Sequence, residues 1–378
     1  DWYIDQMKRP AYDSPSLPIT WDRMEYVEGT NEYVPIQPEY KKSIDQLYAE
    51  AEKQALDGNP EALVNVKKEF GDNPYELKNI LKNWVRNKNQ DLKVIPTDSI
   101  VIKVDKEAVR RSGMMIPGDS IPDYMHISLK GKRALYKSEL MMLEMLSEAN
   151  WERPIYIAVS VGRENQLNME NHFVQEGLAY RFTPFDTDKL NSKIDSEKMY
   201  DNLMNKFKFG GIDNPDIYLD ETVLRMCDTH RRMFVQLTSQ LIKEGKKDKA
   251  LKALDYCEKV IPSTTVPHDY LMSSSKEMAE NYLALGQPQK AEKILNELAN
   301  NAVEYATWYL SLDDARFASS YENCMRYFYI LDDVCKTMAQ MKDSKTGEEN
   351  KSALHYAQKF DQLYKLLEKR VGNSAPAQ

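Results

Sequence analysis

Apolar side chains recur at helical spacing through much of this chain, and at strand spacing in a few short stretches of its first half. Tyr40, Ile44, Leu47, Tyr48, Ala51 and Ala55 fall on one face of a helix that Gly58 ends. A second helix is predicted from Asn73-Pro74, with Asn73 as N-cap, Pro74 in the first turn and Glu76 completing a capping-box-like pattern. Its apolar stripe is Leu77, Ile80, Leu81, Trp84 and Val85. Before these, residues 23–36 read as a hairpin, because Met24, Tyr26, Tyr33 and Pro35 flank the turn chemistry of Glu28-Gly29-Thr30-Asn31. Short β-rich runs at 100–104 and 125–129 read as strands. Residues 134–149 form a helix that is apolar nearly all round, as buried helices are. Pro154-Ile-Tyr-Ile-Ala-Val159 then reads as a buried strand and Gly177–Phe182 as another. Strand, helix, strand in that order predicts a small α/β sheet layer.

The pattern changes near Gly210-Gly211-Ile-Asp-Asn-Pro215, beyond which the signals are almost wholly helical. Ala279, Tyr282, Gly286 and Ala291 keep the spacing of a tetratricopeptide repeat, and Gly245 with Ala250 repeats part of it. Glycine makes the sharp turn between paired helices and alanine allows their close approach. Cys257 falls where the repeat wants a small residue, which gives it a packing role. The two units are spaced wider than the usual repeat of about 34 residues, so they read as degenerate. Two further helices follow, one rich in aromatics from Tyr305 to Tyr329, separated by a loop at 342–350. The predicted fold is an α+β or α/β N-terminal part with a small sheet, followed by an all-α tetratricopeptide-like domain. Its bounds are 1–215 for an incomplete α/β domain, 216–372 for the helical repeats and 373–378 for a disordered tail.

Composition is that of a globular chain of 378 residues, and the net charge of −8 disfavours nucleic acid, which needs a clustered basic footprint. The only short basic cluster, His230-Arg231-Arg232, sits in a helical pattern and reads as a solvated face. No apolar run approaches the roughly 18 residues of a membrane helix. The chain opens on Asp1 and reads as cut from something longer. The four cysteines include no Cys-x-x-Cys pair, and the five histidines show no ligand spacing, so no metal site and no cofactor is expected. No serine-hydrolase, phosphate-loop or dinucleotide motif is present.

Five constellations carry candidate chemistry. Asp186-Thr187-Asp188 has the Asp-x-Asp form that holds metal-bound nucleotide sugars, but so short a triplet in a polar loop reads first as structural. Asp313-Asp314 and Asp332-Asp333 lie on helices, where adjacent residues point apart, and read as solvated. Arg153, at the entrance of a strand, could hold an anion bidentately or pair with Asp98 or Asp123 to lock the sheet. Trp2, Tyr3, Trp21 and Tyr26 are aromatics that stack on sugars or simply pack. Asp98-Ser99-Ile100 and Asp119-Ser120-Ile121 have the acid–hydroxyl–apolar form of bacterial O-glycosylation acceptors, with Ser120 the better placed between Gly118 and Pro122.

Several segments match one family as an ordered set: Asp1-Trp-Tyr-Ile-Asp-Gln-Met7, Ser14-Pro-Ser-Leu-Pro18, Asn150-Trp-Glu-Arg-Pro-Ile-Tyr-Ile157, Glu176-Gly-Leu-Ala-Tyr-Arg181, and Phe209-Gly-Gly-Ile-Asp-Asn-Pro215 with Tyr218-Leu-Asp-Glu221. Together they resemble the C-terminal region of a Bacteroidetes multi-pass membrane family related to transmembrane protein 260, a protein O-mannosyltransferase of the GT-C type. The resemblance implies an upstream membrane domain using a lipid-linked sugar donor, with the catalytic acid in a loop between membrane helices. It carries no catalytic residue onto this chain. It implies an extracytoplasmic position and two partners: the chain's own membrane domain, and acceptor protein or extended peptide. Substrate contacts are expected at Trp2, Tyr3, Asp5, Arg153, Tyr156 and Arg181, with Arg153 or Arg181 also candidates for the donor phosphate. A different class stays open: a non-enzymatic periplasmic tetratricopeptide-like scaffold or glycan-binding protein.

Overall fold

The computed structural model describes residues 9, 15–16, 19–20, 32–115, 120–190, 192–341 and 350–373, in two compact units, 1–193 and 194–378. The expected turn at 28–31 and its first strand, the loop at 342–349 and the tail at 374–378 lie outside the described residues.

In the first unit α1 (Tyr40–Leu56) follows the predicted stripe, with Ile44 and Ala51 buried. A helix that the sequence reading passed over comes next: α2 (Pro60–Phe70), opened by Asn59-Pro60. Asn73 does not cap α3. Its Oδ1 accepts the Tyr75 N–H at 3.0 Å in a local turn, and α3 begins at Leu77 (Leu77–Asn79) and widens into a π-helical turn (Ile80–Val85). The widening keeps Ile80, Leu81, Trp84 and Val85 all buried.

The sheets depart from the expected α/β layer. They are three small antiparallel pieces: β1 (Tyr33–Pro35) with β4 (Ala134–Tyr136), β2 (Ser99–Lys103) with β3 (Tyr124–Ser128), and β5 (Tyr156–Ala158), β7 (Ala179–Phe182) and β6 (Phe173–Gln175) in the order β5-β7-β6. The two strands flanking α5 (Lys137–Ala149), β4 and β5, belong to different sheets, so α5 is no crossover and the unit is α+β. β5 is an edge, with Tyr156 and Ala158 exposed, where a buried strand was expected. The apolar run around α5 also begins with a strand, β4, whose last residue donates its N–H to the Glu139 carboxylate at 2.9 Å and so starts the helix. A short helix α4 (Lys106–Arg111) is capped by Asp105, whose Oδ1 accepts the Ala108 N–H at 2.9 Å.

One apolar cluster joins these pieces. It includes Val34 and Leu135 of the first sheet, Ile100 and Ile127 of the second, Phe173 and Phe182 of the third, and Leu140 and Leu143 of α5. Burying each such side chain stabilises the fold by roughly 1.5–3 kcal/mol, before the entropy of ordering the chain is subtracted. Ile19 belongs to the same cluster. Thr20 donates its N–H to the buried Glu144 carboxylate at 3.0 Å.

The second unit is helical: α6 (Ser196–Asp201), α7 (Glu221–Lys243), α8 (Lys247–Val260), α9 (Ser275–Ala284), α10 (Pro288–Ser311), α11 (Asp314–Ala339) and α12 (Lys351–Asn373). α7 packs on α8, α9 on α10, α10 on α11 and α11 on α12. The first two pairs turn identically. Gly245, at φ +75°, donates to Ile242 O while the Lys246 N–H reaches back to Leu241 O; Gly286, at φ +73°, donates to Leu283 O while the Gln287 N–H reaches back to Tyr282 O. This two-bond closure requires a left-handed residue, which glycine adopts without a Cβ clash. Ala250 and Ala291, each five residues past its glycine, are fully buried, as are Cys257 and Tyr282.

Three readings are corrected here. Arg231 does not sit on a solvated face. It is fully buried and donates to the carbonyls of Ile261, Val266 and Pro267, holding the loop between α8 and α9. Asp313 and Asp314 are exposed as expected, with Asp313 capping α11 by accepting the Arg316 N–H at 3.0 Å, but Asp333 is not a free solvated carboxylate: it accepts from Tyr270 Oη and Lys276 Nζ, both at 2.7 Å. The aromatic stretch spans two helices, because the chain breaks helix at Leu312-Asp313.

Candidate functional site

The helix α5 ends at Ala149, and its last carbonyls need an abrupt change of backbone direction to be satisfied. Asn150 supplies it at φ 44°, and Trp151 continues in the left-handed region at φ 65°. Asparagine tolerates this conformation; a tryptophan there is an outlier held in place by its surroundings. The indole Nε1 donates to Lys103 O at 2.8 Å, and the ring stacks on Phe182 at 5.6 Å with planes 9° apart. Two left-handed residues in succession thus swing the indole back against the sheets. The segment Asn150–Ile157 and the segment Glu176–Arg181, far apart in sequence, meet because β5 pairs with β7, setting Tyr156 opposite Arg181.

Trp151 forms one wall of a cleft of about 260 Å³. Glu76 and Lys78 at the start of α3 form the second wall, and Lys103 and Asp105 at the end of β2 the third. Lys78 Nζ donates to Asn150 Oδ1 at 3.0 Å, which puts a cation at the C-terminal, electronegative end of α5. The walls carry two cations, two carboxylates, an amide and an indole edge, but no histidine or cysteine. With the Ser147 hydroxyl also in its lining, the cleft can bind a small polar or zwitterionic group. Among the described residues no cluster of histidine, cysteine, aspartate or glutamate could hold a metal ion.

Among the described residues, none of the site candidates expected from sequence lines this cleft. Arg181 is 1% exposed; its Nε donates to Glu176 Oε1 at 2.5 Å and its Nη1 to Gly113 O at 2.7 Å. Tyr156 donates its hydroxyl to the other oxygen of Glu176 at 3.2 Å. Arg153 pairs with neither Asp98 nor Asp123. Its Nη1 donates to Pro15 O and Ser16 O, both at 3.0 Å, while Asp123 pairs with Lys106 at 2.8 Å. Arg153 therefore holds Pro15 and Ser16, which belong to a third matching segment, onto the unit. Asp186 accepts the Asp188 N–H at 3.2 Å and pairs with Lys189, and Asp188 pairs with Lys193, so each carboxylate of the Asp-x-Asp triplet has a lysine. Ser99 opens β2 half-buried and Ser120 is exposed. Trp2, Tyr3 and Asp5 lie outside the described residues, as do Trp21 and Tyr26.

The sequence reading missed Lys78, Lys103 and the backbone at Asn150. The one available signal was an asparagine directly after an apolar helix, the usual left-handed stop.

Three small sheets, each antiparallel within itself, with two of the family-like segments paired through β5 and β7, define an α+β module. The model of the family TMEM260-associated domain 2 matches residues 1–199, and the chain belongs to that family. No curated protein and no solved structure matches the chain. No described helix is long and apolar enough to cross a membrane.

Proposed function

We propose that the chain is the extracytoplasmic C-terminal region of a multi-pass, GT-C-like membrane glycosyltransferase, where it docks on the membrane domain and helps bind acceptor protein. The observation that carries this reading is the family match over residues 1–199, since it ties the first unit to proteins related to transmembrane protein 260. The second unit supports the acceptor role. Its pairs α7/α8 and α9/α10 share a glycine turn, a buried alanine five residues on, and a buried Leu241 or Tyr282 four residues before. These are the packing devices of tetratricopeptide-like repeats, whose stacked helices present extended peptide. In this role the chain contributes binding and positioning, and the upstream membrane part contributes the sugar transfer.

Deleting residues 220–378 from the whole polypeptide in its native host tests the role. Glycosylation of acceptor proteins, read by intact mass, should fall while the membrane portion still inserts. Undiminished transfer would refute it. The same helix pairing also suits the second reading, a non-enzymatic periplasmic scaffold or glycan-binding protein. That reading requires a polypeptide without membrane spans upstream of Asp1, which sequencing that region decides.

A further inference from the structure

The cleft at Trp151 lies wholly within the first unit, whereas the acceptor reading rests on helix pairs of the second. Its walls are set before any ligand arrives. Trp151 stands at φ 65°, directly after Asn150 at φ 44°. A tryptophan in the left-handed region is strained, and such outliers cluster at ligand clamps and active sites. Lys103 O and the Phe182 ring hold this indole, so ordering it costs a ligand little side-chain entropy. The other two walls are tied to each other. The Val101 N–H donates to Tyr75 O at 2.9 Å, and Glu76 bridges Val101, which fixes the start of α3 beside β2.

The polar groups around this cleft keep unused bonding capacity. Ser147, on α5, is 4% exposed, and among the described residues its hydroxyl has no hydrogen-bond partner. A buried hydroxyl without a partner is costly to fold, and one in the lining of a cleft is in place for a ligand. Glu76, Lys78, Lys103 and Asp105 form no ion pair with any described residue or with one another. Lys78 uses one proton on Asn150 Oδ1 and Asp105 one oxygen on the Ala108 N–H, which leaves two protons and one oxygen open. The Glu76 and Lys103 side chains make no hydrogen bond among the described residues.

Each of the two charged walls carries one ammonium and one carboxylate. An anion alone would leave the carboxylates without a counterpart, and a cation alone would leave the ammonium groups so. A ligand bearing both charges matches both. At about 260 Å³ the cleft is smaller than the roughly 300–1,000 Å³ of sites for drug-sized molecules, so that ligand is small. Leu77, Ile102 and Leu146 also line it and give an apolar group a place.

We propose that the cleft binds a free α-amino acid with an apolar side chain. Its carboxylate lies between the Lys78 and Lys103 ammonium groups and takes the Ser147 hydroxyl. Its ammonium lies against Glu76 and Asp105, and its side chain on Leu77, Leu146 and the indole. A peptide is the poorer fit, because its internal residues carry no backbone charge and its two termini lie at least two residues apart. Phosphoethanolamine carries both charges but has nothing to place on the apolar lining. The inference does not rest on the acceptor reading: it stands if deletion of residues 220–378 leaves sugar transfer unchanged.

The test titrates the whole 378-residue chain with L-leucine by calorimetry, with saturation-transfer NMR as a second readout. Isocaproate is leucine without the ammonium, isoamylamine is leucine without the carboxylate, and glycine lacks the side chain; phosphoethanolamine is the fourth comparison. Leucine should bind saturably, and each of the four at least about tenfold more weakly. Glu76→Gln with Lys103→Met should weaken leucine about tenfold, and Ser147→Ala severalfold. Without leucine, these variants should melt with the wild type, because the groups removed bond nothing among the described residues. Four results would overturn the proposal: no leucine binding at millimolar concentration, any of the four comparison ligands binding as tightly as leucine, unchanged affinity in the variants, or a lowered melting temperature of Ser147→Ala, which would give that hydroxyl to the fold.

Discussion

Arg181 and Glu176 illustrate how a buried ion pair sets a local stability threshold. Both are nearly inaccessible, and each uses its remaining polar atoms, on Gly113 O and on the Tyr156 hydroxyl. Removing one partner leaves an uncompensated charge, so Arg181→Ala should destabilise the first unit by about 3–5 kcal/mol. Replacing both, as Arg181→Met with Glu176→Leu, should recover much of that loss. Urea unfolding followed by tryptophan fluorescence reads both changes. His268 makes a second residue-scale prediction. Its Nδ1 lies 2.9 Å from Ser275 Oγ, and burial with the Arg231 and Lys293 cations lowers its pKa to about 3, despite Glu258 and Glu297 at 3.9 and 4.0 Å. A depressed histidine pKa means the unfolded chain binds the proton more readily. The stabilisation is therefore complete above the ordinary value of 6.5 and is lost as pH falls toward 3. Acidifying from pH 7 to pH 4 should cost the wild type on the order of 3 kcal/mol more than His268→Gln. Thermal melts at the two pH values measure it.

Chemistry at this scale was only partly legible. Arg153 and Arg181 were expected to hold substrate, and in the structure both hold the chain itself, because a sequence does not show which carbonyls and carboxylates will surround a guanidinium. Arg231 fails for the same reason: its three acceptors come from a loop some thirty residues later.

Helix periodicity and glycine turns carried the element scale well. α1, the stripe of α3 and both Gly–Ala hairpins follow directly from spacing. Strand pairing did not, because a three-residue strand has too few positions to announce its partner, and β4 and β5 found different ones. The hairpins give a clean test. Nothing lies within 4 Å of a Cβ built on Gly245 or Gly286, so the cost of alanine is confined to its positive φ. Gly286→Ala should cost about 1 kcal/mol. Ala291→Leu, which forces volume into a fully buried contact, should cost about 1–3 kcal/mol. A Gly286→Ala variant as stable as the wild type would mean that the turn is not glycine-dependent, and a neutral Ala291→Leu that the helices do not pack closely there; thermal melts read both.

At the scale of the whole molecule, the family relation covers the first unit and the first residues of the second. Residue-level motifs that look weak alone, such as Asn-Trp-Glu-Arg-Pro, gain weight because β5 and β7 pair two of them and Arg153 bonds Pro15 and Ser16 of a third. The central claim, that these units face the extracytoplasmic side as part of a membrane protein, is a statement about location. The native cysteines suit its test, since Cys227, Cys257 and Cys324 are buried, Cys335 is partly so, and burial raises the thiol pKa of all four. Leu56, at the end of α1, is 88% exposed. The decisive measurement is labelling of Leu56→Cys in the full-length protein with a membrane-impermeant maleimide, on cells whose inner membrane is intact. The account predicts prompt labelling of the variant at residue 56 over the level of the wild type. Labelling of the variant only after the cells are lysed would contradict it.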